Sequence, residues 1–189
     1  MSQNRIYLCL AHMSGNEQKF IQEAFDTNWV VPLGPNVDAF ETALANYVGE
    51  NKKVVALTSG TAAIHLALIA CGVKAGDEVI TQSFTFCASA NPITYLGATP
   101  LFIDSECDTW NMNPQLLEEA IKDRISKTGK KPKAIITVSI YGMPYKIDEI
   151  AEIANRYDIP IIEDAADAFG SKYKGQVLGT FGKFGILSF

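Results

Sequence analysis

The stretch KAIITVSIYGMPYKIDEIAEIANRYDIPIIED, residues 133–164, decides the fold. Lys133 to Val138 is a short β-branched run with apolar side chains on both faces, and Ile159 to Asp164 is a second. Between them, Ile147 to Tyr157 repeats apolar residues at Ile147, Ile150, Ala151 and Ala154, the spacing of one helix face. A strand that is apolar on both faces cannot have one side in water, and a strand, helix, strand succession joins parallel neighbours. The stretch therefore predicts a parallel sheet covered on both sides by helices.

The same alternation extends upstream. Lys53 to Thr58 reads as a strand, followed at Ser59-Gly60 by a helix running to Cys71. Glu78 to Thr81 reads as the next strand, with a helical run after Ser83-Phe-Thr-Phe86 that reaches Gly97. Thr99 to Asp104 reads as a strand, and Pro114 to Lys127 as an amphipathic helix with proline near its start. The final Phe184 to Phe189 run looks like another strand. The fold class is α/β, a three-layer αβα domain with a mostly parallel sheet. Residues 1–50 differ: helices are expected near Glu17 to Thr27 and Asn36 to Val48, joined by the loop Trp29 to Pro35, as an N-terminal arm. Residues 51–189 form the main domain.

Composition narrows the class of function. With 48% hydrophobic and 20% charged residues in a 189-residue chain, a sizeable core is available and disorder is excluded. A net charge of −5 without a basic stripe argues against nucleic acid as a partner. No apolar stretch approaches the roughly 18 residues of a membrane span, and the N-terminus lacks a signal pattern, so a cytoplasmic protein with no membrane partner is expected. Cys9, Cys71, Cys87 and Cys107 lack paired metal spacing and are read as free thiols; no metal site is expected.

Ligands of open parallel sheets bind outside the carboxyl ends of the strands. Three turns there carry chemistry. Thr58-Ser-Gly-Thr-Ala-Ala63 opens a helix with small residues, either a phosphate cradle of free N–H groups or a simple N-cap at Ser59. After Gln82, Phe84 or Phe86 could stack on a planar ring or lie in the core. Glu163-Asp-Ala-Ala-Asp167 puts Asp164 at the sheet edge, where a buried charge demands a cationic partner, although an N-cap would also use one acid.

Taken together, Ser59 to Leu68, Ser83 to Asn91, Ile103-Asp104, Tyr141-Gly142, Glu163 to Ala166 and Gly179 to Phe189 resemble the DegT/DnrJ/EryC1/StrS nucleotide-sugar aminotransferases. The opening Gly34 to Glu41 looks like that family's N-terminal signature. The resemblance implies the large domain of the aspartate-aminotransferase (type I) fold and the cofactor pyridoxal 5'-phosphate. It implies that Gly60, Thr61 and Ala62 meet the cofactor phosphate together with Ser188, that Phe86 stacks on the pyridine ring, and that Asp164 pairs with the ring nitrogen. A carboxylate there keeps that nitrogen protonated and the ring an electron sink. Asp167 stands where the family often has His or Gln near the cofactor's 3-hydroxyl, and Ser139 where many members have His.

The family's Schiff-base lysine follows the Ser-Phe pair by a few residues, beyond Phe189, and no lysine here occupies that position. The resemblance thus implies a fragment, inactive alone, of a two-domain protein about twice as long, with the C-terminal small domain outside this chain. The implied activity is transfer of an amino group, with glutamate as donor, to a nucleotide-linked keto sugar for polysaccharide biosynthesis, in a homodimer. Two alternatives stand: a deoxysugar dehydratase, carrying His in place of the lysine, and a non-catalytic truncated relative. His65 is read as a packed histidine and Cys87 as a small packing residue. His12 is a weaker candidate for the substrate, and Trp29 with the Pro32 to Pro35 loop for a sugar site or subunit contact.

Overall fold

A computed structural model describes residues 5, 7, 11–49 and 51–189; Cys9 lies outside the described residues. The chain divides into two compact units, residues 1–56 and 57–189. The first carries α1 (Glu17–Asp26) and α2 (Pro35–Val48). Pro35 is well placed in the first turn of α2, where its missing N–H costs no hydrogen bond. Trp29 lies over Gly34, where a Cβ would come within 2.8 Å of the indole ring. His12 and Trp29 are exposed.

The second unit is built on β1 (Glu78–Gln82), β2 (Thr99–Ile103), β3 (Ala134–Val138), β4 (Ile161–Asp164) and β7 (Phe184–Ile186). The order across the sheet is β2-β1-β3-β4-β7, and every pairing is parallel. A two-stranded antiparallel hairpin, β5 (Lys172–Tyr173) with β6 (Gln176–Val177), precedes β7 and had no sequence signal. The helices are α3 (Gly60–Ala70), α4 (Asn91–Tyr95), α5 (Pro114–Thr128) and α6 (Ile147–Arg156).

Two separate cores explain why the strands are apolar on both faces. Ile80, Ile135 and Ile161 pack with Leu117, Ile121, Ile150 and Ile153 of α5 and α6. Val79, Ile136 and Ile162, one residue along each strand, pack with Ile64 and Leu68 of α3 and with Ile93 of α4. The period of two sends alternate side chains into opposite layers, which is the predicted three-layer αβα arrangement. Local signals set the helix ends. The Asn113 side chain accepts from the N–H groups of Gln115 and Leu116, Pro114 opens α5, and Gly129 closes it at φ 69°.

Two expectations need correction. Residues 53–58 form no strand, and Val55 and Leu57 are exposed. β-branched residues hold a strand only where a neighbour takes their N–H and C=O groups, and among the described residues none pairs with this run. The Ala56 N–H instead donates to Glu41 Oε1 at 2.7 Å. The run expected to continue as helix from Phe86 to Gly97 is a 3-10 turn, Cys87–Ser89, then the five-residue α4, with Pro92 in its first turn. Cys71 is half-buried, and burial raises its thiol pKa.

Where β4 meets β7 the backbones leave no room for a side chain. Gly185 pairs with Glu163, and a Cβ on it would lie 1.8 Å from the Gly179 carbonyl oxygen. We expect Gly185→Ala to cost about 3 kcal/mol or more in denaturant unfolding, because the clash is with backbone. Gly76→Ala, at φ 83° with open space around it, should cost about 1 kcal/mol from backbone conformation alone.

Candidate functional site

β4 ends in two adjacent carboxyl groups that its pleat sends to opposite faces, both buried. Glu163 faces the α5/α6 side. Its Oε1 accepts the Gly179 N–H at 2.7 Å, and Oε2 accepts those of Phe181 at 2.9 Å and Gly182 at 3.4 Å. One carboxylate thus pins the turn that delivers β7. Beside it, burial and the Glu163 charge push the Tyr145 phenol pKa upward.

Asp164 faces the α3 side and sits in the wall of a cavity of about 410 Å³. Its Oδ2 accepts the Ser89 hydroxyl at 2.6 Å, and its Oδ1 the Ala166 N–H at 3.3 Å. Burial raises its pKa above the ordinary carboxylate value, Ser89 and Ala166 pull it back, and the Asp167 charge adds to the rise. A carboxylate 6% exposed with no cationic partner among the described residues is a group waiting for one.

The rest of the cavity wall comes from the other turns. Gly60 and Thr61 open α3 there, where helix geometry leaves the first N–H groups without intrahelical acceptors and directs positive potential at the space. Ser59 is indeed the N-cap: its hydroxyl accepts from Ala62 N–H at 3.1 Å. Ala62 does not line the cavity, and its N–H belongs to that cap. Phe86, Asp167 and Ser188 line it and are exposed. The structure therefore brings Gly60, Thr61, Phe86, Asp164, Asp167 and Ser188 around one space and leaves Ala62 beside it.

A core location for Phe84 and Phe86 is overturned: they are 42% and 74% exposed. Phe84 meets Trp110 and Tyr141 edge to face, with ring centroids 6.2 and 6.3 Å apart. The loops carrying these rings are tied by Asn111, whose amide bonds Gln82, the Ile140 N–H and the Met143 carbonyl. Cys87 is exposed, not the packed residue expected, because it lies on the outer side of the short 3-10 turn. His65 packs edge-on against Tyr95 at 5.7 Å, as a packed histidine would. Ser139 is buried next to the end of β3, and its hydroxyl finds no hydrogen-bond partner among the described residues.

Sequence reasoning missed the hydroxyls behind Asp164. Thr85 Oγ1 lies 2.7 Å from Ser89 Oγ, and both follow β1. Two hydroxyls in the loop after a strand are no distinctive signal, and only tertiary packing brings Ser89 to Asp164.

The residues fit pyridoxal phosphate: a helix start for its phosphate, an aromatic face for its ring, and a buried acid lacking a cation for its ring nitrogen. Comparison with known proteins agrees. EpsN of Bacillus subtilis, provisionally named a pyridoxal phosphate-dependent aminotransferase, is 55% identical over 98% of this chain and 47% of its own length. GDP-perosamine synthase of Escherichia coli O157:H7 is 40% identical over 94% of this chain and 46% of its own. A solved E. coli GDP-4-keto-6-deoxy-D-mannose-3-dehydratase with bound hydrated PLP superposes with a TM-score of 0.83 at 30% identity, over 95% of this chain and 46% of that one. The chain spans about half the length of the curated relatives it matches.

The architecture is that of the large domain of the aspartate-aminotransferase (type I) fold of pyridoxal-phosphate enzymes. The chain belongs to the DegT/DnrJ/EryC1/StrS aminotransferase family, whose pattern matches residues 12–189.

The raised pKa of Asp164 has a measurable consequence. A carboxyl whose folded pKa lies above its unfolded value makes the ligand-free protein lose stability as pH rises from about 3.8, the ordinary value, through the folded value. Asp164→Asn, which cannot ionise, should therefore be more stable than the native sequence above that window, with the difference vanishing toward its lower end. Denaturant unfolding at a series of pH values checks this.

Proposed function

We propose that the whole protein is a pyridoxal-phosphate-dependent aminotransferase that transfers an amino group, with glutamate as donor, to a keto sugar linked to a nucleotide. The product serves polysaccharide biosynthesis, in the cytoplasm, and the working unit is a homodimer. The observation that carries the reading is Asp164, a buried carboxylate with no cation beside it among the described residues, in the wall of a cavity that also holds the start of α3, Phe86 and Ser188. Two nucleotide-sugar enzymes among the similar proteins support the substrate class.

Each residue has a defined task. Gly60 and Thr61 offer backbone N–H groups to the phosphate, and Ser188 adds a hydroxyl. The exposed face of Phe86 stacks on the ring and orients it. Asp164 holds a proton on the ring nitrogen by charge pairing, and that pairing recovers the desolvation cost of the carboxylate. When bound, the cofactor supplies an electron sink for the pair left when a substrate carbon loses its proton. Asp167 also lines the cavity and is exposed, and it would stand near the cofactor's 3-hydroxyl, where the family often has His or Gln. The amine that moves the proton and the C-terminal small domain belong to the part of the protein beyond Phe189.

The dehydratase reading rests on the solved structure with bound hydrated PLP. The residue at the family's lysine position beyond Phe189 separates the two: lysine for amino transfer, histidine for dehydration. For the aminotransferase, titration of the full-length protein with pyridoxal phosphate should give a saturable absorption change, and Asp164→Asn should lower kcat by about a hundredfold or more. Absence of any absorption change in pure full-length protein overturns the reading.

A further inference from the structure

We infer that Ser89, backed by Thr85, is a positioning residue for Asp164: its hydroxyl fixes one carboxylate oxygen and keeps the group an acceptor for a cation in the cavity. The inference rests on the cofactor reading above for what that cation is, but its geometry stands on the ligand-free protein.

Ser89 is fully buried, and its 2.6 Å bond to Asp164 Oδ2 spans 75 residues of sequence. A hydroxyl has one proton to give. Because Ser89 spends it on Asp164, the 2.7 Å contact between Thr85 and Ser89 must have Thr85 as donor. The result is a directed chain, Thr85 to Ser89 to Asp164, whose two O–H groups both point toward the carboxylate. Thr85 itself lines the cavity.

That direction suits an ionised carboxylate, which only accepts; a proton on Oδ2 would make Asp164 the donor to Ser89 and force the chain to reverse. The other donor is weaker: the Ala166 N–H reaches Oδ1 at 3.3 Å, the long end of the range. Burial and Asp167 both favour the neutral acid, so Ser89 is the principal group opposing them. No other charged group acts on Asp164 among the described residues. His65 on α3 is turned onto Tyr95, and Cys87 on the 3-10 turn is exposed.

The experiment compares the full-length native protein with Ser89→Ala, Ser89→Thr, Thr85→Val, Asp164→Asn and the Ser89→Ala/Asp164→Asn double variant. Without ligand, the loss of stability with rising pH should extend about one pH unit higher in Ser89→Ala, a roughly tenfold change in proton affinity. Ser89→Thr, which keeps the hydroxyl, should restore the native profile, and Thr85→Val should shift it less in the same direction. In the Asp164→Asn background, Ser89→Ala should add only a pH-independent loss. Affinity for pyridoxal phosphate, read by absorbance, should fall about tenfold in Ser89→Ala and hardly at all once Asp164 is Asn.

An unshifted pH profile in both Ser89→Ala and Thr85→Val, or an equal loss of affinity in both Asp164 backgrounds, overturns the inference and makes Ser89 a packing residue. If Ser89→Ala does not fold, the Thr85→Val profile decides. Failure of even the native protein to take up pyridoxal phosphate would sink the cofactor reading alone, since the ligand-free pH profiles still decide the role of Ser89.

Discussion

Two adjacent carboxyl groups buried at the end of β4 constrain everything around them. A charge taken out of water must find donors or a counterion, and here the pleat sends the two charges into different layers. Glu163 is satisfied by the backbone N–H groups of the 179–182 turn, so its side is structural. Asp164 receives one strong and one long hydrogen bond and, among the described residues, no cation, so its side is left able to bind. A single strand end thus holds the last strand in place on one face and builds the cavity on the other.

The two halves are coupled. The Glu163 clamp sets the turn whose continuation, β7, pairs with β4 and carries Ser188 to the cavity. Gly185 is required in that pairing because the Gly179 carbonyl occupies the space of a Cβ. The cavity therefore depends on contacts made on the opposite face of the sheet, and damage to the clamp would be felt as a displaced Ser188. At the neighbouring strand ends, the Gln82–Asn111 pair ties three loops and presents Phe84, Trp110 and Tyr141 at the surface. Trp110 and Tyr141 do so from left-handed backbone, at φ 63° and 49°, a conformation that costs about 1–2 kcal/mol for such residues and that the tied loops impose.

Much of the architecture was legible because burial on both faces leaves a mark in one dimension. The runs at 78–82, 99–103, 134–138 and 161–164 are short and apolar and separated by helix-period segments, and all four are strands. The run at 53–58 has the same chemistry and is not a strand, since β-propensity is realised only beside a partner. The site was legible at Asp164, whose charge at an apolar strand end had to be explained. Phe84 and Phe86 were less so, because an aromatic after a strand reads alike whether it points inward or outward. Ser89 was not legible, for its partner lies 75 residues away, nor was Thr85, which reaches Asp164 only through Ser89; small polar residues are ordinary in a turn.

By itself the sequence determined the layer architecture, the strand ends where chemistry could gather, and the family pattern carried on those turns. Those properties are local: periodicity, capping and the cost of burying a charge act over a few residues. Only the tertiary structure decided which hydroxyl meets Asp164, that Glu163 is spent on a turn, that Ala62's N–H serves the Ser59 cap, and that the rings stand outside the core. Those depend on register and on contacts between distant strands, where a shift of one residue exchanges the two faces of the sheet.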